Sequence, residues 1–189
     1  MTALIINMRQ LRKFFTNTVL FLLLLALIAI NGIMYFGKGG FNELFEISGK
    51  LIPDLKLIHS NESLMEYFDA WGAQGRLFYI RYQYRDFIYP IIYSVFMSAI
   101  LIRLIRPRYF NVWVAVPMLA MVFDFVENYY LRVLVYDYPN LISQNITMAS
   151  VFSSLKWLTI LISILLIFIA LVRRRKAYSK KMSSKGSQA

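Results

Sequence analysis

Two carboxyls and an amide, Asp124, Glu127 and Asn128, stand three and four residues apart inside the apolar run from Asn111 to Leu134. At about 100° per residue they share one helical face with Trp113, Pro117, Ala120, Met121 and Leu131. At the centre of a membrane span an ionisable side chain costs about 2.5–3.5 kcal/mol on insertion scales. Such a stripe therefore needs partners, water or a task. Three tasks fit its chemistry. One is a structural ion-pair network that fixes helix register. The second is a polar pocket that binds a ligand. The third is acid–base work with Asp124 and Glu127 as the exchanging carboxyls.

Other residues along the chain can answer that stripe. Ser153, Lys156, Thr159 and Ser163 share a face of the last apolar run, and Lys156 is the one basic residue deep within a span. A Glu127–Lys156 or Asp124–Lys156 pair is expected if these two helices are neighbours, as a short connection favours. Ser153 beside Lys156 also has the spacing of a Ser–Lys nucleophile, although helical periodicity produces that spacing often. Upstream, Tyr79, Tyr82, Asp86, Tyr89 and Tyr93 recur at three and four. Phenols with an apolar ring and a polar tip suit a membrane–water boundary, so this stripe reads first as an interfacial belt and second as a ligand lining. The candidate ligand-binding set is Tyr79, Asp86, Tyr89, Tyr93, Asp124, Glu127, Asn128 and Lys156. The candidate catalytic residues are Asp124 and Glu127.

These side chains must be positioned by membrane helices. The chain has 189 residues, 59% of them hydrophobic, and a mean hydropathy of +0.54, too apolar for an ordinary soluble domain. Four windows are long enough to cross about 30 Å of hydrocarbon: Phe15–Phe36, Phe87–Ile105, Val112–Leu131 and Ser150–Val172. The expected fold is all-α, a polytopic four-helix bundle over residues 1–172, with a helical outer segment (37–86) between the first two spans. Within that segment FNELFEISGKLI suits a short surface helix, and a bend is expected near Gly72–Gly75 of a helical system running from Glu62 to Ile105. The basic start could resemble a signal peptide, but the apolar run is long and no A-x-A-like site follows, so it is read as a retained anchor.

Charge placement sets the expected orientation. The net charge is +11, a value that would suit nucleic acid were it not distributed around the spans. Arg9, Arg12 and Lys13 precede the first span, Arg103, Arg106 and Arg108 sit between the second and third, and a basic tail follows the fourth; none of these regions contains Asp or Glu. The positive-inside bias then places both termini in the cytoplasm, with a bacterial inner membrane as the expected setting and no nucleic-acid partner. The tail, 173–189, is Ser-rich as well as basic and is expected to be disordered or held on anionic headgroups. Cysteine is absent and His59 is the sole histidine, so no metal site and no cofactor is expected. Asn61-Glu-Ser and Asn145-Ile-Thr match glycosylation triplets, which matter only in a eukaryotic secretory pathway.

The elements Leu51-Ile-Pro-Asp-Leu, Gly75-Arg-x-x-Tyr79, Asp86 with Pro90 and Tyr93, Phe123-Asp-x-x-Glu-Asn128 and Lys156-Trp157 resemble a family of small, mainly bacterial four-span membrane proteins. The resemblance covers roughly Leu51 to Val172 and implies the fold, with no particular activity. At the level of fold alone the chain is also similar to the sterol isomerase and sigma-2 receptor superfamily, whose antiparallel bundles place acidic residues in a pocket; this chain lacks their intramembrane histidine. The reading these residues favour is a protein binding a lipid or other lipophilic molecule through a polar cluster in the outer half of the bundle. A metal-free membrane enzyme and an accessory subunit, whose charges pair with a partner's spans, are the alternatives.

Overall fold

The computed structural model describes residues 8–38, 40–50, 52–105 and 110–186. Leu51 of the first motif and the loop arginines Arg106 and Arg108 lie outside the described residues. Among the described residues seven α-helices occur in order: α1 (Met8–Phe14), α2 (Asn17–Phe36), α3 (Phe41–Ser48), α4 (Asn61–Asp86), α5 (Ile88–Leu104), α6 (Phe110–Asp137) and α7 (Ser143–Gly186). A single 3-10 turn, Pro53–Leu55, stands between α3 and α4. No strand is present among the described residues. Four stretches are long and apolar enough to cross a membrane: Asn17–Ser48, Asn61–Leu104, Val112–Asp137 and Ser143–Ala177.

Local chemistry explains the boundaries. Thr16 caps α2, its Oγ1 accepting from the Val19 amide at 3.2 Å, and Ser60 caps α4 by accepting from Ser63 at 3.1 Å. Helix α3 closes on Gly49 at φ 64°, a left-handed turn that glycine adopts without a Cβ penalty. The bend expected near Gly72–Gly75 falls at Gly72, whose φ of 61° and ψ of −172° interrupt α4; an L side chain there would be strained.

Helices α6 and α7 pack along each other most extensively, α5 lies against both, and α2 rests on α5. The main core gathers Phe68, Trp71, Tyr79, Leu131, Leu134 and Ala149 from α4, α6 and α7, with Leu44 of α3 beneath. The opposite faces of α2 and α7 expose Phe21, Leu22 and Ile28, and Leu161, Leu165 and Phe168, the surface that a hydrocarbon solvent would cover.

Three boundaries differ from the sequence expectation, one of them the start of α7, which lies at Ser143 rather than Ser150. The third apolar helix passes Leu131 and reaches Asp137, because Leu134 and Val135 are themselves buried in the core. The tail after Val172, expected to be disordered or held on anionic headgroups, continues α7 as helix to Gly186. Arg, Lys, Ala and Met are strong helix formers, and neither proline nor glycine interrupts 143–185.

Candidate functional site

Helical spacing on α6 brings Asp124, Glu127 and Asn128 to one inward face, and all three are buried. Across from them, α7 presents Lys156. Its ammonium ion-pairs with Glu127, which is fully buried, and lies 4.0 Å from Asp124. Both pairs read from the sequence therefore meet at one lysine. Glu127 is thereby directed at Lys156 rather than toward Asp124.

The carboxyl that faces Asp124 belongs to α4. Asn128 Nδ2 donates to Asp86 Oδ2 at 2.8 Å and to Asp124 Oδ1 at 3.2 Å, so one amide holds two carboxyls side by side. Tyr93 of α5 donates its hydroxyl to Asp124 Oδ2 at 3.1 Å. Tyr79, Tyr82 and Tyr93 are all buried. These three members of the tyrosine stripe thus face the interior of the helices rather than their surface. Two of the stripe's phenols, those of Tyr79 and Tyr93, find acceptors among the carboxyls.

A fourth carboxyl comes from outside the long helices. Asp54, in the 3-10 turn, is 6% exposed. Its Oδ2 accepts from the Tyr79 hydroxyl at 2.7 Å, and its backbone carbonyl accepts from Lys156 Nζ at 3.3 Å. Burial raises this carboxyl above its ordinary range, while the Lys156 ammonium and the Tyr79 hydroxyl pull it back. The turn is carried inward because the strand-like residues after it are pinned to the start of α7. Ser153 Oγ donates to the Lys56 carbonyl at 2.5 Å and Ser154 Oγ to the Leu57 carbonyl at 3.0 Å, while Ser150 Oγ accepts from the His59 amide at 2.9 Å. Gln83, also fully buried, completes a relay: Arg132 Nε donates to its Oε1 at 3.1 Å, and its Nε2 donates to Tyr79 Oη at 3.1 Å and to the Asn128 carbonyl at 3.3 Å.

Asp54 and Gln83 were absent from the candidate set. Gln83 lies one helical turn past Tyr79, so the same periodicity that selects Tyr79 and Asp86 would have found it. Asp54 had no periodic signal, because its depth is set by hydrogen bonds from Ser153 and Ser154 to nearby backbone carbonyls.

These residues floor a cavity of about 420 Å³. Asp54, Asp86, Asp124 and Lys156 lie at its polar side, with Tyr82, Tyr89 and Tyr93 around them. Apart from Asn31, the remaining wall is largely apolar and comes mainly from α2, α3 and α7, including Leu27, Met34, Phe41, Trp157 and Ile160, with Met97 of α5. Tyr79, Glu127 and Asn128 stand behind this floor and support it. No cluster of three or more metal-ligating side chains occurs among the described residues.

What the arrangement can do follows from its charges. Three carboxyls face the cavity, while the one ammonium beside them is already paired with a fourth. Unlike a charge pair closed on itself, such a floor has acceptor capacity to spare: Asp54 Oδ1 is buried with no hydrogen-bond partner. It suits a ligand group that donates protons or carries positive charge. Compared with family models, with curated proteins and with solved structures, the chain matches none, so its chemistry is read from this geometry.

Proposed function

We propose that this chain is an integral membrane protein, a four-helix bundle with both termini cytoplasmic, that binds a lipophilic molecule in the cavity between α2 and the α5–α7 layer. The observation that carries the reading is the division of the cavity wall. An apolar side assembled largely from α2 and α7 meets a floor of Asp54, Asp86 and Asp124. A molecule with a hydrocarbon body and a hydroxyl or protonated amine at one end satisfies both surfaces. The apolar body replaces lipid contacts at little cost, and the polar end takes the spare carboxylate acceptors, which would otherwise remain unmatched.

Native mass spectrometry of the protein released from nanodiscs tests this. The parent should carry a small lipophilic adduct, or take up dodecanol or dodecylamine when these are supplied. Met97→Trp, which fills the cavity from α5, and Asp86→Asn, which alters its floor, should each reduce the adduct while leaving the unfolding midpoint within a few degrees of the parent. Equal adduct in all three proteins would sink the reading. Orientation is tested separately in intact cells. An impermeant maleimide should label Ser48→Cys and Ser143→Cys but spare Ser183→Cys, and the reverse pattern would invert the topology.

A second reading keeps support from one observation. Asn128 holds Asp86 and Asp124 together at the cavity floor, and two carboxyls facing one bound molecule are the parts of a metal-free acid–base site. In that case the pair is Asp86 with Asp124, since Glu127 is taken by Lys156. Conversion of the adduct to a product of altered mass, lost in Asp124→Asn, would favour the enzyme. The accessory-subunit reading asks for a charged stripe facing outward, whereas Asp124, Glu127, Asn128 and Lys156 are all buried within this chain.

A further inference from the structure

At the other end of the helices lies a second cavity, of about 560 Å³, formed by the end of α5, the start of α6 and the point where the apolar run of α7 gives way to Arg173. Its walls are Leu104, Ile105, Trp113 and Ala170, and its rim is Arg173, Arg174 and Lys176. The three cations are exposed, and no salt bridge engages them among the described residues. All Asp and Glu residues of the chain lie between Glu43 and Asp137, and those on α5 to α7 belong to the opposite half. Two nearby arginines already have partners: Arg12 donates to the carbonyls of Ile102 and Ile105 at the end of α5, and Arg103 to Asn17. Arg173 instead sits with its guanidinium 5.8 Å from the centre of the Trp113 ring, at the rim of the groove.

We infer that this groove is a site for the phosphodiester headgroup of an anionic phospholipid. Three unneutralised cations converge on a concave surface whose inner wall is apolar, and guanidinium groups match phosphate oxygens with fixed pairs of donors. A lipid is the source that the surroundings favour over free phosphate. Phe168 and Leu171, exposed just before the arginines, offer a path for acyl chains, and a tryptophan at this level marks a headgroup boundary. Basic pockets between helices at a membrane face hold lipid headgroups by this combination of charge and depth. The site is independent of the cavity between α2 and α7 and shares no lining residue with it.

The experiment compares phosphatidylglycerol with phosphatidylcholine of the same acyl chains, titrated onto the full-length protein in detergent and counted by native mass spectrometry. The parent should retain phosphatidylglycerol preferentially. Arg173→Gln, Arg174→Gln and Lys176→Gln should each lower that preference about fivefold, the equivalent of about 1 kcal/mol per interfacial charge, and the triple variant should abolish it. The single variants are at exposed positions and should unfold with the parent, so loss of preference can be separated from loss of fold. A control carrying Lys180→Gln, Lys181→Gln and Lys185→Gln removes the same charge further along the chain and should keep the preference. Equal loss in that control would reduce the effect to net charge and overturn the site. Lack of preference in the parent would also overturn it. Displacement of the lipid by glycerol 3-phosphate at matched concentration would show a soluble phosphate to be the ligand and overturn the lipid assignment.

Discussion

The two ends of this molecule handle charge in opposite ways. At one end Asp54, Asp86, Asp124, Glu127 and Lys156 are all buried, and each is held by named donors or an ion pair. At the other, Arg173, Arg174 and Lys176 are exposed around a groove, with no salt bridge among the described residues. The difference teaches where each charge contributes. A buried charge is costly to strand and weakly screened by salt, whereas an exposed one contributes little to folding and stays available for a ligand. Stranding a charge at the acidic end should therefore register in stability, whereas removing one at the basic end should register in binding alone.

The largest effect that tests this contrast is at Lys156. Lys156→Met leaves Glu127 fully buried opposite a thioether and removes the donor to the Asp54 carbonyl. A loss of about 3–5 kcal/mol is expected, as for breaking a buried pair from one side. Adding Glu127→Gln should recover a large part of that loss, because an amide strands no charge. The measurement is a set of unfolding midpoints for parent, single and double variants in one detergent. A single variant as stable as the parent would mean that the acidic end is already solvated, and the contrast between the ends would collapse.

That pair was legible in the sequence; the cavity was not. Asp124, Glu127 and Asn128 announce themselves by helical spacing within an apolar run, and Lys156 by being the lone base at depth, so the residue string itself implies the α6–α7 contact. Four apolar windows likewise located the long helices to within a few residues, apart from the end of α6 and both ends of α7. The tyrosine stripe was visible, but its direction was not, because periodicity gives a face without saying what the face meets. Asp54 was hidden for a different reason. Its depth depends on tertiary hydrogen bonds from Ser153 and Ser154 to backbone carbonyls of Lys56 and Leu57, and backbone acceptors leave no trace in a residue string. The partnership of Asp86 with Asp124 was hidden in the same way, since it requires α4 and α6 to meet at Asn128.

An effect of intermediate size concerns His59, at the margin between the two regimes. Its side chain is buried, and neither ring nitrogen has a hydrogen-bond partner. Burial, with the Lys156 and Lys56 ammoniums, lowers its pKa from 6.5 to about 4. The unfolded chain then binds a proton more readily than the folded one between these values. The contribution is complete above 6.5 and is lost as pH falls toward 4. After allowance for solvent screening it should reach about 2 kcal/mol. His59→Phe cannot take up that proton. The gap between parent and variant stability should therefore shift by this amount, to the parent's disadvantage, between pH 7.5 and pH 4.5. A constant gap across that range would show the imidazole to be in contact with water and would move His59 to the solvated class.

The smallest expected change in stability is at the basic end, and its smallness is what sharpens the contrast. Arg173→Gln and Arg174→Gln remove exposed charges that no acid neutralises, so each should alter unfolding free energy by no more than about 0.5 kcal/mol, of either sign. Salt separates the ends further. At about 1 M ionic strength the Debye length falls to about 3 Å. Repulsion among Arg173, Arg174, Arg175 and Lys176 is then screened, and the parent should gain slightly where the glutamine variants do not. The Lys156→Met deficit should hold at both ionic strengths, because its charges meet across protein rather than water. Melting the parent, Arg173→Gln/Arg174→Gln and Lys156→Met at low and high salt provides all the comparisons in one series. If the Lys156→Met deficit shrank with salt while the arginine variants stayed flat, ions would be reaching the acidic floor, and the cavity above it would have to be open to water rather than to hydrocarbon.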